Sequence, residues 1–436
     1  MKLLDAYEVL GNQVELAWGR CNYDEERFPE LARAALLEFP GEFAIEQLVD
    51  EVLQATPRRL LPQHDLQSTF GEPPLTVFTG RRFYIAINFW INASIAIHEH
   101  GFCGAFRVLQ GSSFHARYSF QTKRILNSHL KVGSVCLEEF ECLQPHDVRT
   151  IGRGDRGAHR LFHIERPSAT LVVRTRGEAG LTQNTYLPPS IAYDPFFLGT
   201  SEDPISLRRH ELLRLLGVTN FDALKPRLLE HLRASELSTA FEATMSLIKV
   251  LVDRASEPSQ IREDLGELAA VVAERDPDFA EALRASISEL LWSTNILHRR
   301  ELLRGPDERY LFAVLLNAPD RSAVLDWVRR RWPDDQPMDR VLTMLDMLAD
   351  QTDPSEPGLT MLGLERDAVS VLRDMIVSPG SFDELRIRLK QRWKGEVVDA
   401  SQDELRSLYH SLIDSSPFRA LIDPVRSSRP SGVKPQ

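Results

Sequence analysis

Cysteine is scarce. The chain has four in 436 residues (Cys21, Cys103, Cys136 and Cys142), and no two are spaced Cys-x-x-Cys. That excludes a disulfide framework and a zinc ribbon, and it points to a reduced, cytoplasmic setting. Long apolar runs are missing, so no segment is expected to span a bilayer. The opening Met-Lys-Leu-Leu-Asp-Ala-Tyr-Glu breaks any signal-type apolar core at once. Positive charge is in deficit, with 52 Lys and Arg against 63 Asp and Glu and a net charge of −11. Neither a nucleic acid nor a membrane is therefore expected as a partner. No repeat of fixed period is visible. What remains is ordinary globular composition, 43% apolar and 26% charged, in a chain long enough for two domains.

The most informative stretch runs from Phe83 to Gly111. Phe83, Ile85, Ile87, Phe89 and Ile91 share one parity, and Arg82, Tyr84, Ala86, Asn88 and Trp90 share the other. On a strand these sets face opposite ways, giving one apolar face that packs and one mixed face suited to a pocket lining. A second run ends in Ile97-His98-Glu99-His100. Histidines at i and i+2 of a strand point the same way, about 7 Å apart at the backbone, so both rings can reach one ion while Glu99 faces away. A third histidine lies in a later segment, where a Gly-rich turn leads to His159 and His163 before the strand-like run Ser168 to Thr175. His159 and His163 have the same strand parity, and the pattern allows either as the third ligand.

The run Asn88 to Gly111, with Trp90, His98-Glu99-His100, Phe106 and Leu109-Gln110-Gly111, resembles the first metal-binding motif of the cysteine dioxygenase family of cupins. Ala158-His159-Arg160-Leu161, with Pro167 downstream, is similar to that family's second motif. The resemblance covers roughly residues 30 to 180. It implies a small β-barrel holding one non-haem iron(II), Fe(II), on His98, His100 and His159. Departures from the pattern narrow what it implies. The window Gly101 to Ala105 has no carboxylate, which favours the three-histidine variant. The family's crosslinking cysteine falls near Ala105, so no crosslink is expected. Its serine, histidine and tyrosine on the last strand fall near Val172, Arg174 and Arg176, and its substrate-carboxylate arginine has no counterpart before the strand.

The rest of the chain reads in two textures. Residues 1 to 70 look helical, with helices over Glu25–Phe39 and Phe43–Ala55 bracing the barrel. Residues 75 to 186 carry nine short strand patterns, Ser94–His100, His115–Phe120 and His129–Glu139 among them, as a barrel or sandwich requires. From about 200 the period becomes helical, starting with Ser206–Leu216 closed by Gly217, and about ten helices follow. Several begin with Ser or Asp, which suit N-caps. The expected fold class is α+β: N-terminal helices plus a cupin-type barrel over 1–200, an all-α domain over 201–425, and a disordered Ser/Pro-rich tail over 426–436.

Three neutral imidazoles leave a dication's charge uncompensated, which favours anionic ligands at its open positions beside oxygen. The expected substrate is therefore a small thiol- or carboxylate-bearing molecule oxidised with O2. Arg82, Tyr84, Asn88, Trp90, His163 and Arg174 have the parity or position to bind it, with Arg82 or Arg174 as the cation for a carboxylate. Two other readings are open: a modifier of a peptide- or carrier-bound amino acid whose helical half holds the macromolecule, and a non-enzymatic cupin that senses a small ligand. Cys103 is either a thiol near the pocket or a buried filler. His115 and His129, in barrel strands, read as satisfied surface or core residues; Glu139 and Glu141 could supply a carboxylate ligand, but such a pair on a strand reads more simply as solvent-facing.

Overall fold

The computed structural model of the protein describes residues 2–40, 43–55, 62–64, 70–91, 96–177, 183–195, 204–254, 258–392 and 402–423. The expected tail from 426, the boundary at 200/201 and the start of the strand expected from Ser94 lie outside the described residues. Three helices come first: α1 (Leu3–Arg20), α2 (Phe28–Glu38) and α3 (Ile45–Gln54). Eleven strands follow: β1 (Pro74–Thr79), β2 (Phe83–Trp90), β3 (Ile97–His100), β4 (Gly104–Gln110), β5 (Ser113–Asn127), β6 (Leu130–Leu143), β7 (Val148–Ile151), β8 (Gly154–His163), β9 (Ser168–Thr175), β10 (Thr185–Leu187) and β11 (Ile191–Tyr193). The remaining described elements are helices: α4 (Pro204–Thr219), α5 (Phe221–Ala234), α6 (Leu237–Arg254), α7 (Pro258–Ala273), α8 (Pro277–Leu302), α9 (Pro306–Asn317), α10 (Arg321–Arg331), α11 (Pro337–Ala349), α12 (Arg366–Val377), α13 (Phe382–Arg392), α14 (Gln402–Ser415) and α15 (Arg419–Ile422). No helix among the described residues is long and apolar enough to cross a membrane.

The strands form two units. A five-stranded sheet has the order β1-β2-β9-β4-β7, and six strands close on themselves as β10-β11-β6-β5-β8-β3. This is the α+β architecture expected: a closed β-barrel with N-terminal helices, followed by a helical region. Period-two alternation decides which side chains fill the layers. From β2 the odd residues Phe83, Ile85 and Ile87 pack outward on Leu10, Val14 and Trp18 of α1 and Phe28 and Leu36 of α2. Inward, Trp90 joins Phe106, Val108, Leu161 and Val172 between the sheets. The second unit packs outward too: Phe114, Phe140 and Phe162 share a core with Tyr310 of α9 and Trp327 of α10. The barrel is thus sandwiched between two helical layers, each bonded to it through one parity of its strands.

Polar contacts fasten the C-terminal helices to β8. Arg309 of α9 donates to the carbonyl of His163 at 2.9 Å and also to that of Ile164. Arg300 of α8 donates to the His163 carbonyl at 3.1 Å. Three helices start on caps of the expected kind. Asn220, Asp276 and Asp320 accept the N–H groups of Ala223, Phe279 and Ala323 at 3.0, 2.9 and 2.9 Å.

Several elements differ from expectation. Helix α1 falls within the stretch expected to be helical, although no bounds were expected for it; the short strands β10 and β11 were not anticipated, and β5 and β6 form a ribbon longer than the patterns over His115–Phe120 and His129–Glu139 suggest. Gly217 does not end its helix, because α4 continues to Thr219. A Cβ at Gly217 would lie 2.8 Å from a Val250 methyl, so the glycine serves close packing of α4 on α6 rather than a cap. A Cβ at Gly104 would lie 2.0 Å from the Val173 carbonyl oxygen, which is backbone and cannot swing away. Gly104→Ala is therefore expected to destabilise the protein by roughly 1–3 kcal/mol. Gly217→Ala should cost less, because its clashes are with the Val250 and Leu224 side chains rather than backbone and its gain in helix propensity offsets part of their shift. Urea midpoints of the two variants check the contrast.

Candidate metal centre

The site is built on the pairing of β3 with β8. Residue His98 stands directly opposite His159 in that antiparallel ladder. Directly opposed residues point to the same face, a few ångströms apart. His100, two residues on, points the same way. One ring nitrogen from each of His98, His100 and His159 lies within 4.8 Å of the others, and all three residues are buried. The Nε2 atoms of His100 and His159 are 2.9 Å apart. Two cis ligands at about 2.0–2.1 Å from one ion would stand about 3 Å apart.

Hydrogen bonds assign the ring protons. A carbonyl only accepts, so Nδ1 of His98 donates to Ala96 at 2.9 Å. Its Nε2 is left as a bare acceptor, buried and without a partner. Leaving such a group unsatisfied costs roughly 1–3 kcal/mol, which a bound cation would offset. Nδ1 of His159 lies 3.0 Å from Nε2 of His115, and Nδ1 of His115 lies 3.0 Å from a Glu141 carboxylate oxygen. Arg149 holds that carboxylate from the other side, its Nε 2.9 and 3.1 Å from the two oxygens. Glu99 faces away, as expected, and accepts from the Asn184 backbone and side chain and from the Tyr186 hydroxyl.

Burial sets the charge state. It pushes His98 down to about 4, against a small opposing effect of the Ala96 carbonyl. His100 and His159 are held well below the usual imidazole range, first by burial and then by neighbouring histidines, with Arg174 also acting on His100. At neutral pH the three rings are thus uncharged, as metal ligation requires. Burial would raise Glu141, but hydrogen bonds from His115 and Arg149 outweigh it and hold its carboxyl down at about 2.

The other residues singled out in the sequence fall in different places. His163 is not part of the cluster. It is fully buried, its Nδ1 lies 2.8 and 2.9 Å from the hydroxyls of Ser113 and Ser168, and its ring stacks on Trp90 at 4.6 Å. Trp90 in turn donates to Thr170 at 3.1 Å. These residues form a packed end of the barrel interior rather than a wall of an open pocket. Arg82 is exposed and sits over the Tyr23 ring at 5.1 Å, so it lies outside the barrel. Its parity is inward, but it precedes β2, at the very end of the β2–β9 pairing, where its side chain turns out to solvent. Arg174 is brought in, with its guanidinium 3.3 Å above the Phe102 ring, which itself lies 4.4 Å from His100. Tyr84 faces Arg174 across the β2–β9 ladder at 5.2 Å from the guanidinium, and Asn88 is half-buried further along. Phe70 covers His98 at 5.1 Å. Cys103 lies in the core between sheet and N-terminal helices, bonded to the Glu25 carbonyl and near Thr175, with its thiol pushed up by burial. It is a buried filler, not a pocket thiol. His129 lies 3.6 Å from Asp194, away from the cluster.

The sequence reading missed the His115–Glu141 pair, taking Glu141 as solvent-facing. The signal that could have found it is parity: His115 and Glu141 stand directly opposite on β5 and β6, and both turn inward.

A β-barrel with three buried, converging, neutral histidines defines a candidate metalloprotein. No family model matches the chain, and no curated protein matches it. Among solved structures it is similar to DMSP lyase DddQ from Ruegeria pomeroyi DSS-3, over 42% of this chain and 98% of that one, at 12% identity and a TM-score of 0.22. That likeness is too slight to bear on activity.

The buried histidines make stability depend on pH. In the unfolded chain each titrates near 6.5, while the folded chain keeps it neutral to lower pH. As pH falls through 6.5 the unfolded state takes up protons that the folded state refuses, so stability drops, and the His98 contribution levels off below about 4. Each such proton steepens the fall by about 1.4 kcal/mol per pH unit. His163, held well down by burial and by Arg300 and Arg309, adds to the same slope. The EDTA-treated protein is expected to lose stability between pH 6.5 and 4, and His163→Gln to lose it less steeply. Urea titrations across that range measure both slopes.

Proposed function

We propose that the protein is a metalloenzyme of cupin type, with His98, His100 and His159 holding one Fe(II), and that it oxidises a small thiol- or carboxylate-bearing substrate with O2. The observation that carries this reading is the convergence of three buried imidazole nitrogens within 4.8 Å, one of them a bare acceptor. The donor set fits: imidazole suits iron, and no carboxylate among the three neutralises the ion. When bound, the iron supplies adjacent open positions for substrate and oxygen together.

The chain's own residues contribute binding and exclusion of water. Arg174 lies against Phe102, which itself lies against His100, and it is the group that would hold a substrate carboxylate. Phe70 and Phe102 flank His98 and His100 with apolar surface, which keeps the site dry and strengthens every charge interaction inside it. The four free cysteines accord with a reduced, cytoplasmic setting. A small-molecule substrate and O2 are the proposed partners.

Three measurements test the reading. Iron content of freshly purified protein should fall to background in His98→Ala, His100→Ala and His159→Ala but persist in His163→Ala; wild-type protein that retains no metal under anaerobic iron loading would end the proposal. Oxygen consumption with a panel of thiols and carboxylates should then appear in the loaded wild type, with none expected of a ligand sensor. With an anionic substrate, Arg174→Gln should raise KM by roughly 10–100-fold, as loss of a charge-assisted bond implies. Arg82→Gln should leave KM unchanged.

A further inference from the structure

The cluster contains no carboxylate ligand, yet a carboxylate is wired to it. Glu141 on β6, His115 on β5, His159 on β8 and His98 on β3 form one row across neighbouring strands, because β6 pairs with β5, β5 with β8 and β8 with β3. Within that row His115 stands opposite Glu141, and His98 opposite His159. His115 sits one diagonal step from His159, opposite Leu161. The two ring-to-partner distances along it are both 3.0 Å. His115 is 2% exposed, and its ring is held at the edge of Phe106, 5.8 Å between centroids. Arg149, from the facing sheet, anchors the outer end.

We propose that His115 is a positioning residue for the metal site: carried by Glu141, it fixes the tautomer and orientation of His159. The logic runs inward from the carboxylate. Glu141 accepts, so the proton on the His115 ring sits on Nδ1. Nε2 of His115 is then an acceptor and takes the Nδ1–H of His159. Nε2 of His159 is left with its lone pair, aimed at the cluster. The same chain places the negative charge of Glu141 two hydrogen bonds from a cluster whose three rings are all neutral. Breaking it would strand a buried Nδ1–H on His159 and let the ring turn.

This inference rests on the three-histidine reading, and the experiment separates the two. In the EDTA-treated wild type, nitrogen-15 NMR of the imidazoles should show His159 and His115 as Nδ1–H tautomers. A His159 carrying its proton on Nε2 would overturn the proposal whether or not any metal binds. Titration with Co(II), read by its visible absorption, should then show affinity weakened roughly 10–100-fold in His115→Phe, with an altered spectrum. His115→Gln, whose amide oxygen can accept from His159, should recover much of the loss. Phe114→Leu, one residue away and facing the helices, should lower the melting temperature yet leave affinity and spectrum unchanged. A folded His115→Phe with wild-type affinity and spectrum sinks the assignment. Should Co(II) bind nowhere while the tautomers are as stated, the metal reading falls and the His115–His159 link stands.

Discussion

The site depends on one cross-strand pair, His98 opposite His159. Side chains alternate faces along a strand, so a slip of one residue between β3 and β8 would send one ring of the pair out of the barrel. Much of the surrounding structure holds that register. β10 pairs with β3 on its free side and closes the barrel. β5 pairs with the other edge of β8. Arg300 and Arg309 grip the carbonyls where β8 ends. The helical region is thus more than an appendage to the barrel: it buries arginines to fasten the strand that bears His159.

A second constraint is dryness. Burial keeps the three imidazoles neutral, and neutral imidazoles are both metal ligands and tolerable core residues. Charges near the cluster are kept one layer back and each is answered. Glu141 meets His115 and Arg149, and Glu99 meets Asn184 and Tyr186 on the opposite face. Arg174 lies against the Phe102 ring rather than among the ligands. Within the cluster the bare Nε2 of His98 is left buried without a partner, and three converging neutral imidazoles could hold a cation there.

Legibility differed by range. The alternation in β2 told correctly which residues meet the helices and which turn inward, because it needs only the period of a strand. The His-x-His motif needed no more than that. Arg82 misled because parity says nothing about where a strand begins. Gly217 misled because a glycine that ends a helix and one that lets two helices touch look the same in one dimension. His163 shares its parity with His159, and only the β3–β8 register separates them. His115 and Glu141 are 26 residues apart and become neighbours through a long ribbon, whose extent the strand patterns understated.

Local pattern alone determined that strands precede the later helices, which faces of β2 turn inward and outward, and two of the three clustered histidines, since each follows from periodicity within a few residues. Tertiary structure decided which later histidine joins them, which arginine lies near them, and that a distant glutamate is linked to them through His115. Those are matters of register and distance between strands remote in the chain, and no local period encodes them.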